Sequence, residues 1–282
     1  METQWPLVLF SLIAGTGGSL FAFVGLSELT AGKEKTRFAA TVCAMVLIVI
    51  GGCLSMLHLA SPQNAFAALT NIFSFSGISV ELMLLGLTFA AALAYAIVIK
   101  RTRNSAVAKA LGVIGGVLGL ALGYFCGHGY MIEAQPTWMH DSLPLAYFGT
   151  ALACGAFAYD AVAVRCGTEA DELAGRMPVA LVASSAVAAV TLLAYTGFLG
   201  FDAAAETGIL FWGGVVVCGI LASLAVALVR LFVRTAPALP LDIIGLACAF
   251  LGGVSVRVLM WVCATGYLNL FSHTVPSVMF NL

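Results

Sequence analysis

The chain has 282 residues, of which 62% are hydrophobic and only 9% charged, with a formal net charge of −1. Its mean hydropathy is +1.07. A soluble domain carries about a quarter charged residues, so this composition excludes a water-facing globular surface and marks an integral membrane protein. No basic patch large enough to neutralise several phosphates is present, which excludes nucleic acid as a partner.

About 20 apolar residues are enough to cross the hydrocarbon core of a bilayer. Eight such stretches predict an all-α, polytopic helical bundle forming a single domain over residues 1–282. They run roughly Pro6–Leu29, Phe38–Ala60, Val80–Lys100, Ala110–Met131, Leu143–Val164, Pro178–Phe201, Gly208–Val233 and Leu241–Leu268. Cleaved targeting is not expected, because Met1 to Trp5 lacks a basic segment and the first apolar run outlasts a signal peptide.

In chain order, the first span ends near Glu28, which reads as an interface residue. The second ends in Ser55-Met-Leu-His58-Leu-Ala-Ser61-Pro62. The loop after it, Ser61 to Ser79, holds nineteen residues without a charge. Its Ser-Pro start, with Phe66, Leu69 and Phe73 on one face, predicts a short helix lying in the headgroup plane. Glu81 opens the third span. The fourth carries Gly115, Gly119, Gly123 and Gly127, a glycine stripe suited to close helix packing. His128 ends that span. Asp160, near the end of the fifth, reads as facing water, and Asp242 as an interface residue favoured by the start of the eighth helix. Deep in the eighth span lies Arg257, one turn after Gly253, which leaves room for the guanidinium or for a flat ligand.

Eleven of the twelve Lys and Arg residues fall in or beside the loops after spans one, three, five and seven, and none in the loops after two, four and six. By the positive-inside rule the basic loops face the cytoplasm and both termini face outward. Arg257 is the exception. A guanidinium in hydrocarbon costs at least about 2.5–3.5 kcal/mol, so its depth calls for a function or a polar partner. The cysteines form no CxxC pair, so neither a structural zinc nor an iron–sulfur cluster is expected in this protein.

His58, Glu81, His128 and Arg257 come from four helices and share one membrane level toward the outward face. A histidine, a carboxylate and an arginine at one bilayer face suit quinol oxidation, which releases two protons with two electrons. Imidazole accepts a proton near neutral pH. A carboxylate relays one to water, and an arginine hydrogen-bonds a quinone carbonyl or pairs with that carboxylate. The candidate site is therefore His58, Glu81 and Arg257, with Ser55, Ser61, Pro62 and Gly253 lining the pocket.

These residues also carry a family resemblance. The stretch from Ser55 to Pro62, followed by Ala65-Phe66 and Ser79-Val-Glu81, resembles the membrane anchor subunits of dimethyl sulfoxide reductase, the DmsC family. Pro136-Thr137-Trp138 and Arg257 are similar to segments of the same family. The resemblance implies an anchor in a prokaryotic cytoplasmic membrane that binds and oxidises menaquinol. It implies as partners an iron–sulfur electron-transfer subunit and a molybdopterin catalytic subunit, working in anaerobic respiration. It also places the quinol-site histidine and acid on His58 and Glu81. Two other classes stay open. A haem b anchor would use His58 and His128, the one available ligand pair, but both sit close to the interface and no haem is expected; a small-molecule transporter would use Arg257 as a substrate counter-ion.

Overall fold

The computed structural model describes residues 3–30, 32–57, 72–74, 76–102, 105–167, 172–233, 235 and 237–264. Eight helices among them are long and apolar enough to cross a membrane. They are α1 (Trp5–Leu29), α2 (Glu34–Met56), α3 (Gly77–Ile97), α4 (Ser105–His128), α5 (Ser142–Arg165), α6 (Glu172–Leu199), α7 (Leu210–Phe232) and α8 (Ala238–Val262). The predicted eight-helix bundle is the observed fold.

The helix starts differ from the predicted spans for a simple reason. Hydropathy marks where side chains become apolar, whereas helices begin earlier, in polar residues at the membrane edge. Thus α2 starts at Glu34 and α4 at Ser105. The sixth helix begins at Glu172, and Pro178 lies inside it rather than at its start. The start of α3 is set by Ser76, whose side chain accepts the Ser79 amide as an N-cap. Glu81 therefore sits in the second turn of α3 and does not open it. Of the predicted interfacial helix, Ile72–Ser74 forms a single 3-10 turn; the remainder of that expectation lies outside the described residues.

Helix α1 is the hub, packed against α2, α4 and α5, with α8 also touching it. Glycine makes the tightest of these contacts. A Cβ on Gly18 would strike the backbone of Gly119, and one on Gly25 would strike that of Gly112. The glycines of α4 thus serve close helix approach, in a setting where the hydrophobic effect cannot drive association. In α7, Leu210–Ala222 is π-helical before Ser223–Phe232 returns to α-helix. There Gly219 lies against Gly252 of α8, with a Cβ at Gly219 only 3.0 Å from the Gly252 Cα.

Candidate functional site

The Arg257 side chain is completely enclosed, with 0% exposure. Its Nε donates to Ser11 Oγ at 2.9 Å, and its Nη1 to Thr150 Oγ1 at 3.0 Å and to the Gly253 carbonyl at 2.9 Å. Nη2 donates to the Tyr147 carbonyl at 3.4 Å. The guanidinium carbon lies 4.0 Å from the centre of the Tyr147 ring, a cation–π contact that adds favourable electrostatics where water is absent. One arginine thereby ties α1, α5 and α8 together. Every partner is neutral, and among the described residues no carboxylate pairs with it. Gly253 contributes its carbonyl, and its missing side chain makes room for Leu12 and Thr150: a Cβ there would lie 2.8 Å from Leu12 Cδ1 and 3.3 Å from Thr150 Cβ. It opens no space for a flat ligand.

An aromatic layer lies beyond the guanidinium, toward the end of the bundle away from the basic loops. Tyr130 packs against Tyr147, Trp138 and Trp261, with ring centres 5.7, 6.0 and 6.2 Å apart, and Trp138 meets Trp261 at 5.0 Å. Trp138 Nε1 donates to the Met260 carbonyl at 3.0 Å. That carbonyl lies in the last turn of α8, where helix carbonyls have no partner of their own. The Pro-Thr-Trp segment is thus a cap on α8, held from the other side by Tyr195 of α6, whose hydroxyl donates to the Thr137 carbonyl at 3.3 Å. Sequence patterning gave no access to these partners, although an aromatic-rich segment beside the end of the arginine helix was a usable signal.

Glu81 joins this neighbourhood from α3. Its carboxylate lies directly over Gly129, so close that any Cβ at that position would collide with Oε1. Glycine at 129 leaves the space that the carboxylate occupies. Burial above all pushes the Tyr130 hydroxyl well above its usual range; Tyr147, Glu81 and Cys126 add to this and Arg257 opposes it. Tyr130 consequently stays a neutral hydrogen-bond donor that feels both Glu81 and Arg257. Ser55, in the last turn of α2, is half-buried and donates to the Gly52 carbonyl at 2.8 Å. His58, Ser61 and Pro62 lie outside the described residues. His128 is exposed, its ring beside Tyr124 and Phe125.

At the basic end, three acids depart from their sequence reading. Asp160 and Asp242 face neither water nor headgroups; they are 3% and 0% exposed. Arg230 of α7 donates from Nη2 to Asp160 at 2.5 Å and from Nε to Asp242 at 2.8 Å. Glu28 is equally buried, ion-paired with Arg37 and accepting the Tyr95 hydroxyl at 2.8 Å. Arg257 is therefore not alone in drawing charge inside, because Arg230 is only 13% exposed. The reason is geometric. Near a helix end a long arginine side chain reaches inward, so an acid one turn below the loop can be neutralised without water.

The sequence matches the model of the DMSO reductase anchor subunit (DmsC) family over residues 1–261. It is 26% identical over 156 residues to the YnfH subunit of an anaerobic dimethyl sulfoxide reductase of Escherichia coli (strain K12), covering 54% of this protein and 55% of that relative. To the C subunit of anaerobic dimethyl sulfoxide reductase from the same organism it is 26% identical over 153 residues, covering 52% of this protein and 53% of the relative. These pairwise matches span about half the length of each curated relative, whereas the family match runs along nearly the whole sequence. The protein belongs to the DMSO reductase anchor subunit (DmsC) family.

Proposed function

We propose that this protein is the membrane anchor of a reductase complex of the dimethyl sulfoxide reductase type, and that it oxidises menaquinol at the end of the bundle opposite its basic loops. In this reading it lies in the cytoplasmic membrane of a prokaryote with both termini and the site facing outward, which the distribution of Lys and Arg supports. An iron–sulfur subunit docks on that face, takes the electrons and passes them to a molybdopterin catalytic subunit. The clusters and the molybdopterin belong to those partners.

The observation that carries the reading is the Glu81 carboxylate resting on Gly129, next in the chain to Tyr130, on whose hydroxyl Glu81 and the enclosed Arg257 act in opposite directions. Quinol oxidation releases two electrons and two protons. Glu81 accepts one proton and His58, just beyond the described end of α2, accepts the other. Tyr130 offers a neutral hydroxyl to a quinol oxygen. Arg257 pairs with no carboxylate among the described residues; its positive charge favours the negative charge that develops on that oxygen as its proton leaves.

The test is turnover of the assembled complex with menaquinol and with an artificial electron donor. His58→Ala and Glu81→Gln should each lower quinol-driven reduction by about 10²–10⁴, the usual cost of losing a general base, and leave donor-driven reduction intact. Normal quinol oxidation in both variants would refute the site.

A further inference from the structure

Between α2 and α3, on the side of the bundle that faces lipid, lies a cavity of about 400 Å³. Ile48, Val49 and Gly52 line it from α2, and Leu82, Leu85 and Gly86 from α3. Its wall is apolar throughout. Its α3 wall runs from Leu82, the residue after Glu81, to Phe89, a rise of about 10 Å of helix. Ser55 stands one turn of α2 beyond Gly52, at the same end as Glu81. The groove itself is apolar, and Glu81 and Ser55 lie past one end of its lining along α3 and α2.

Gly86 is unlike the other glycines deep in the described membrane helices. Each of those meets a neighbouring side chain or backbone, whereas a Cβ at Gly86 would meet nothing within 4 Å. A glycine inside a helix costs about 1 kcal/mol relative to alanine, and here no helix contact repays it. The space it leaves is part of the cavity. At Gly52 a Cβ would meet only Leu85 Cδ2, at 3.2 Å, so both glycines widen the groove from opposite walls.

We propose that this groove holds the polyprenyl tail of the quinol whose headgroup is oxidised at Glu81. The inference rests on the proposed quinol reading and adds to it the route by which the substrate enters and the part of it that is gripped. A lipid-soluble substrate with one polar end needs a polar contact continuous with an apolar track open to the bilayer, and a groove whose α3 wall begins one residue after Glu81 suits that need. A phospholipid acyl tail would fill the same volume without any coupling to turnover.

The experiment fills the groove and compares two quinols with the same naphthoquinol headgroup, one bearing a long polyprenyl tail and one bearing none. Gly86→Phe fills it from α3, and Val49→Phe fills it from α2 should the first variant fail to assemble. In the purified complex the KM for the tailed quinol should rise about tenfold, the factor expected from losing roughly two buried methylenes. The KM for the tailless quinol and the rate with an artificial donor should stay unchanged. An unchanged KM for the tailed quinol would overturn the proposal and leave the groove to lipid. Equal loss with both quinols would overturn it too, since tail recognition would then not be involved. The tailless quinol also separates the two ideas: if Glu81→Gln oxidises it normally, the headgroup reading fails whatever the groove does.

Discussion

The two ends of this bundle solve the same electrostatic problem in opposite ways. At the basic end, Arg230 is cancelled by Asp160 and Asp242, and Arg37 by Glu28. Toward the other end, Arg257 is more deeply buried than either, yet it is held by two hydroxyls, two carbonyls and a tyrosine ring. A cancelled charge has a short reach and acts as a fastener between helices. A solvated but uncancelled charge in a low-dielectric interior projects its field onto whatever lies nearby. Here that is the Tyr147 and Tyr130 layer. On the proposed reading, the contrast separates a structural cluster from a functional one using the same residue type.

The most disruptive way to test this contrast is Arg230→Leu, which strands two buried carboxylates. It should destabilise the protein by about 3–5 kcal/mol, read as loss of the protein from membranes or a lower Tm after solubilisation. Replacing Arg230, Asp160 and Asp242 together by leucine should recover most of that loss, since no unpaired charge then remains. Failure of the triple variant to recover would mean that the cluster does more than fasten α5, α7 and α8.

A smaller structural effect is expected from Arg257→Leu. The acceptors it leaves behind are neutral, and both hydroxyls keep another bond: Ser11 Oγ donates to the Val8 carbonyl and Thr150 Oγ1 to the Ala146 carbonyl. The cost should be about 1–3 kcal/mol, that of leaving neutral buried groups under-satisfied. Quinol-driven turnover should fall far more than donor-driven turnover. A loss of assembly as severe as that of Arg230→Leu would place Arg257 among the fasteners and erase the contrast.

The contrast was only partly legible in the sequence. Eight spans and the one-sided basic loops could be read because they depend on local composition. The depth of Arg257 was legible for the same reason. Its partners were not: Ser11 lies 246 residues away in the sequence and Thr150 107, and no periodicity links them. Asp160 and Asp242 were misplaced because each sits close to a loop, where an acid usually meets water. The missing signal was Arg230, one turn from the end of α7 and at the level of both acids. Glu81 was legible as a candidate by its place at the outward membrane level and by the family resemblance, but its seat on Gly129 follows from how α3 meets the turn after α4.

The smallest expected effect comes from Tyr95→Phe. It removes one hydroxyl bond to Glu28 and leaves the Arg37 pair in place. A loss of about 0.5–1.5 kcal/mol is expected, seen as a slightly lower Tm with quinol turnover unchanged. A selective loss of quinol turnover would show that the basic end takes part in the chemistry.

The central claim is that the chemistry lies at the Glu81 end, and it is tested most directly by following quinol-driven reduction of the partner's clusters in stopped flow. Glu81→Gln and Asp160→Asn make the same chemical change, carboxylate to amide, at opposite ends of the bundle. Asp160→Asn leaves Arg230 paired with Asp242 and should reduce the clusters at the wild-type rate. Glu81→Gln should slow the reaction by about 10² or more. A wild-type rate in Glu81→Gln, with the slow phase appearing in Asp160→Asn, would contradict the account and move the site to the basic end.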